Sequence, residues 1–200
     1  MPAGKARLAS AAVVALAAAA ALAFAVKRSH GIHHGGPLAC SGCGTIGSAI
    51  PVDIRRSATV GTDVVINRGD QNAVLDGIAF DELTPGVDIL GPLALRIGDY
   101  RGRGLAAGAI LGFPPPLTRG VARPVRGFVV HPHRSRDDDV ELLIGLRPRR
   151  RGAFHYRSYT LHYHVGHTSY AAPYPSSMTV CAPRTAFDGP ACAAHMPRPR

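Results

Sequence analysis

The stretch FHYRSYTLHYHVGH, Phe154 to His167, holds four histidines and three tyrosines in fourteen residues. It can be read as a metal site, a binding face or one strand of a sheet. Side chains of a strand alternate between its two faces. On that period His155, Arg157, Tyr159, Leu161, Tyr163 and Val165 share one face. Tyr156, Ser158, Thr160, His162 and His164 share the other. The first face turns apolar in its second half and is expected to be core. The second is polar and is expected to face solvent or a partner, with His162 and His164 exposed. Gly152 reads as the turn before the strand and Gly166 as its end.

The rest of the chain repeats this grammar. Ala58–Asn67 (ATVGTDVVIN) and Asn72–Phe80 (NAVLDGIAF) read as strands joined by a turn at Gly69-Asp70. Gly86–Ile97 supplies one or two more. Val125–His133, Asp139–Leu146 and Ser176–Cys181 follow, and Gly104–Phe113 is ambiguous between helix and strand. Short apolar runs between turn signals, with no convincing helix among them, predict an all-β antiparallel sandwich over residues 52–182. Parallel pairing would call for crossover helices.

The order VELLIGLRPRRRGAFHYRSYTLHYHVGHTSYAAP, followed by SSMTVC, resembles the closing strands of an immunoglobulin-like sandwich. VVINRGDQNAVLDGIAF resembles its early hairpin. Over about Ala58 to Cys181 the chain is similar to small exported proteins of GC-rich Gram-positive bacteria with one N-terminal apolar segment and one such domain. The resemblance implies an immunoglobulin-like fold and export. It carries no functional residue, because its motifs are strand patterns and turn glycines. The chain also has no tryptophan and no cysteine pair within the strands, unlike antibody-type domains.

Residues 1–28 read as a signal anchor or signal peptide. Lys5 and Arg7 precede the uncharged run Leu8–Val26, and Lys27-Arg28 close it. The run is 19 residues long, close to the ~20 of a bilayer-spanning helix. Ala23-Phe24-Ala25 also fits a cleavage site, so anchored and secreted forms both remain open. Residues 29–51 are rich in glycine and histidine and read as a linker; residues 183–200 read as a tail. An even count of four cysteines, Cys40, Cys43, Cys181 and Cys192, implies disulfides in an exported chain. Their connectivity is open: pairing across would staple the two ends of the domain, pairing within would close two small loops.

The net charge is +10, carried almost wholly by arginine, since Lys5 and Lys27 are the only lysines. Arginine, alanine, glycine and proline all have GC-rich codons, so genome composition explains the excess as well as a polyanionic partner does. His131-x-His133 and His162-x-His164 are the metal candidates, with a spacing usable for Zn²⁺ or Cu²⁺. Neither pair has a third ligand at motif spacing, and metal is not the favoured reading. Cys40-Ser-Gly-Cys43 resembles a redox or metal C-x-x-C but lacks a following helix pattern, so a structural disulfide is expected. Asp137–Asp139 suits a charged turn better than a Ca²⁺ loop. Glu82 and Glu141 are the only glutamates, and no nucleophile–base pair, phosphate loop or nucleic-acid motif is visible.

These readings predict a non-enzymatic, extracytoplasmic envelope protein with a binding or structural role and no cofactor. Its expected partners are the membrane, through the N-terminal helix, and an anionic envelope polymer or another envelope protein, with no nucleic acid. The alternative is a metal-binding protein using the His-x-His pairs; an enzyme with an illegible site is the remaining rival.

Overall fold

The computed structural model describes residues 32–44, 48–100 and 108–193. The expected membrane or signal segment, 1–28, lies outside the described residues. No helix among the described residues is long and apolar enough to cross a membrane.

Fourteen strands are described. β1 is His33–His34, β2 Leu38–Ser41, β3 Ser48–Pro51, β4 Ala58–Asn67, β5 Ala73–Asp81 and β6 Val87–Arg96. β7 is Gly108–Leu111, β8 Arg123–Pro124, β9 Val129–Val130 and β10 Val140–Pro148. β11 is Gly152–Tyr156, β12 Ser158–Val165, β13 Thr168–Tyr174 and β14 Met178–Ala182. One sheet runs β1-β13-β12-β5-β9, a second β2-β4-β10-β6-β8 with β7 on β4, and a third β11-β14-β3. The main apolar core draws on all three, including Val60, Val65 and Leu142 of the second sheet, Leu75 and Leu161 of the first, and Val180 of the third. The chain is therefore an all-β layered sandwich, as expected.

The opening stretch is two strands in two sheets. β11 pairs with β14, whereas β12 pairs with β5 and β13. Arg157 is the changeover; its backbone N–H donates to the Asp81 carbonyl at 3.2 Å. The alternation reverses there. Phe154 and Tyr156 are buried before it, Tyr159, Leu161 and Tyr163 after it. Tyr156 is thus a core residue and not a solvent-facing one, and His155 and Arg157 do not continue the core face. Val165 is only partly buried against the core.

β-Bulges reverse the phase in three more places. Between Leu142 and Ile144 of β10, the partner β4 advances from Asp63 to Val60, one residue too many. Ala58 and Val60 face the core before the bulge, Asp63, Val65 and Asn67 after it. β6 carries its extra residue at Gly91-Pro92 opposite β10. Gly91 has φ +84 and Pro92 has no N–H to pair, so the two run-like halves of Gly86–Ile97 form one bulged strand. β5 carries its bulge near Asp76, opposite His162 and Tyr163.

Three readings need correction. The segment 29–51 is not a free linker where it is described: β2 pairs with β4, β1 runs parallel to β13 and β3 parallel to β14. Its glycines allow close approach. A Cβ on Gly36 would collide with the Tyr163 hydroxyl and lie 2.5 Å from the Tyr170 ring. Tyr163 donates to the Gly35 carbonyl at 2.8 Å and accepts from the Leu38 N–H at 3.3 Å. Secondly, the sheets are not wholly antiparallel. β1 and β3 are parallel edge strands, reached by long passes of the chain, so no crossover helix is needed. Thirdly, 183–193 is not a loose tail: a helical turn, Pro190–Ala193, brings Cys192 into burial against Cys181. The disulfides pair within each end, Cys40–Cys43 and Cys181–Cys192.

The outer face of the second sheet is also covered. Leu95, Tyr100 and Leu143 form a second small core there, joined by Leu93, Val121 and Ala122. This is why β10 is buried along nearly its whole length, with VELLIGL enclosed on both faces.

Candidate binding surface

One end of the sandwich gathers arginines. The loop before β4 carries Arg55 and Arg56; the end of β10 and its turn into β11 carry Arg147, Arg149, Arg150 and Arg151; Arg184 follows β14. All seven side chains are exposed. Backbone hydrogen bonds hold these loops together: Arg55 N–H to the Pro148 carbonyl at 2.7 Å, and Arg149 N–H to that of Gly86 at 2.9 Å. The Arg184 N–H donates to the Asp53 carboxylate at 3.3 Å. Arg55 has φ +64, a conformation that costs a non-glycine residue about 1–2 kcal/mol and here aims its side chain from this end.

Clefts open between the loops. One of about 370 Å³ is lined by Asp53, Arg56, Ser57, Leu111 and Arg184. Another of about 320 Å³ is lined by Arg55, Asp88, Arg147, Pro148 and Arg149. A third, of about 230 Å³, has Arg151 at its rim over Ala153, Ala182 and Pro190. Asp88 takes both neighbouring arginines: Arg149 Nε at 2.5 Å, and Arg147 through Nε at 3.2 Å and Nη2 at 3.1 Å. The Arg149 hydrogen bond holds the Asp88 carboxyl below its usual range; desolvation opposes it, and Arg147 adds to the lowering. Arg150 lies over the Phe154 ring at 5.4 Å and donates to the Pro85 carbonyl at 3.2 Å. Asp53 and Asp88 are outnumbered by the arginines, so the end is cationic and its donors are splayed around open clefts.

The histidines are placed differently. His131 Nδ1 lies 2.9 Å from Asn72 Oδ1, His133 Nδ1 2.7 Å from Asp139 Oδ1, and His164 Nδ1 3.0 Å from Asp76 Oδ1. His162 and His164 are half-buried on the outer face of β12, not fully exposed. Among the described residues none of His131, His133, His162 and His164 belongs to a group of three potential ligands; the group that does form is Cys40, Cys43 and Asp63. The aspartate run serves its turn: Asp138 Oδ2 accepts from the N–H groups of Arg134 and Ser135, and Ser135 caps a 3₁₀ turn over Arg136–Asp138.

Two buried acids were not singled out from sequence. Asp63 sits in the core and accepts from the Tyr159 hydroxyl at 2.9 Å. Burial, then the Asp63 charge, pushes Tyr156 and Tyr159 up, and Tyr174 is raised mainly by burial. Glu141 is buried on the outer face of β10, and burial raises its carboxyl to about 7. The signal for both was a single acid inside an apolar run, TDVV and VELLIGL. The arginine end had its signal in RPRRRG, the run that ends on the turn residue Gly152.

No family model matches the chain, and no curated protein matches it. Among solved structures it is similar to a PapD-like domain of human CEP192, at 9% identity and TM-score 0.36, over 73% of this chain and 84% of that one. It is also similar to the VesB protease of Vibrio cholerae, at 10% identity and TM-score 0.31, over 72% of this chain. That match spans 32% of the protease chain.

Proposed function

We propose that the protein is a non-enzymatic, extracytoplasmic envelope module of immunoglobulin-like type that binds an anionic polymer at its arginine end. The observation that carries this reading is the convergence of seven exposed arginines from three separate loops, six of them lining open clefts. Codon bias can scatter arginines over a surface; it gives no reason for them to meet. Guanidinium groups bind phosphate and carboxylate bidentately, which suits a polymer bearing either group. The two disulfides support an oxidising compartment. The uncharged run Leu8–Val26 supports attachment to, or passage through, a membrane. Metal binding by the His-x-His pairs has less support, since among the described residues none of the four joins a group of three potential ligands.

Long-chain polyphosphate is a suitable probe. The variant Arg55→Gln, Arg56→Gln, Arg150→Gln, Arg151→Gln leaves the Asp88 contacts of Arg147 and Arg149 in place. It should lose at least tenfold in affinity for polyphosphate, and its affinity should depend less steeply on salt, because fewer counterions are released. Equal affinity and equal salt dependence in the two proteins would refute the arginine end as the site.

A further inference from the structure

Cys40, Cys43 and Asp63 converge although sequence separates the acid from the cysteines by a turn and a strand. Their potential ligand atoms all lie within 4.8 Å of one another. β2 delivers Cys40 beside Val65 of β4, and the bulge in β4 turns Asp63 inward to meet it. Asp63 is 3% exposed, whereas Cys40 and Cys43 are half-buried at the edge of the core. The Tyr159 hydroxyl donates to Asp63 Oδ2 at 2.9 Å and so fixes the carboxylate's orientation.

We propose that these three residues form a redox-gated site for a thiophilic divalent cation such as Zn²⁺, closed in the disulfide and open in the dithiol. This goes beyond the polymer-binding reading and does not depend on it. Two cysteines with two residues between them are a chelating spacing, and two thiolates plus one carboxylate suit tetrahedral Zn²⁺ with water in the fourth position. Gly42 at φ +96 and Gly44 at φ +77 flank Cys43, a backbone able to part the two sulfurs for a metal. Reduction breaks the S–S bond: a dithiol reductant gives two electrons and two protons and closes to its own disulfide. The cation then replaces the two thiol protons, which leave to solvent. Without a cation, two thiolates beside a buried carboxylate would repel one another, so the reduced trio either keeps its protons or takes the metal.

Reduction should be selective. Cys181 and Cys192 are 1% and 2% exposed, and their loop is longer, with a separation of 11 against 3. A reductant reaches the half-buried pair first, and opening the shorter loop releases less chain entropy. The test uses the full chain treated with a water-soluble phosphine, which leaves as its oxide with oxygen from water. The reduced chain should bind one Co²⁺, with a thiolate-to-cobalt charge-transfer absorption that Zn²⁺ abolishes. The oxidised chain should show none. Cys40→Ser/Cys43→Ser should lose the absorption while retaining Cys181 and Cys192. Asp63→Asn should keep it but weaken Co²⁺ binding by about tenfold or more. Binding by the oxidised chain, absorption surviving in the double serine variant, or no binding by a reduced chain of native circular dichroism would overturn the site. Unchanged affinity in a folded Asp63→Asn variant would remove Asp63 as a ligand.

Discussion

Replacing Glu141 by Gln should flatten the dependence of stability on pH. Glu141 is 1% exposed, opposes Leu95 of β6 and Val64 of β4, and shares the outer face of β10 with Leu143. Its Oε2 has no hydrogen-bond partner. Burial raises the carboxyl from the ordinary 4.5 to about 7. The folded chain therefore holds this proton more tightly than the unfolded chain does. Such a group contributes fully below about pH 4.5, and the contribution is lost as pH rises through about 7. At about 1.36 kcal/mol per pH unit, the interval corresponds to about 3 kcal/mol. Gln keeps the shape and cannot ionise. Urea unfolding, followed by circular dichroism at pH steps from 4.5 to 8, gives the stability of both proteins. The gap between variant and wild type should move by about 3 kcal/mol in the variant's favour across that range. Ionisations common to both chains cancel in the difference. Parallel curves would mean that Glu141 is solvated or already ionised, and the argument from burial would fail.

Leu161 lies fully buried between β5 and β13, so Leu161→Ala should cost about 2–5 kcal/mol in the same assay; a cost under 1 kcal/mol would contradict the register described. Cys181→Ser/Cys192→Ser should cost about 2–3 kcal/mol by releasing the loop that the disulfide closes, read as a lower urea midpoint.

Much of the fold was legible in the sequence. Ala58–Asn67 begins and ends where its β-branched run does, and the turn after it is closed by Asn67, whose side chain accepts from the Gly69 N–H and donates to the Gln71 carbonyl. These are local effects, set by residues within a few positions. Thr168–Tyr174 was not read as a separate strand, because SYAAPY alternates poorly, although only the turn Gly166-His167 separates it from its partner β12. The segment 29–51 looked like a linker because glycine permits both freedom and close approach; only the presence of Tyr163 and Tyr170 decides which.

The sites follow the same division. Residue types were visible from the start: the C-x-x-C, the acids within apolar runs, the arginines of the turn. Their juxtaposition was not. Period two determines which residues share a face only until a bulge or a change of sheet reverses it, and this chain reverses it at Arg157 and in β4, β5 and β6. A bulge depends on how two strands far apart in sequence match their hydrogen bonds, so apart from Gly91-Pro92 in β6 no local pattern reports it. Sequence by itself determined the strands and the chemistry available. Tertiary pairing alone turned Asp63 toward Cys40 and Cys43, buried Glu141 and brought the arginines to one end.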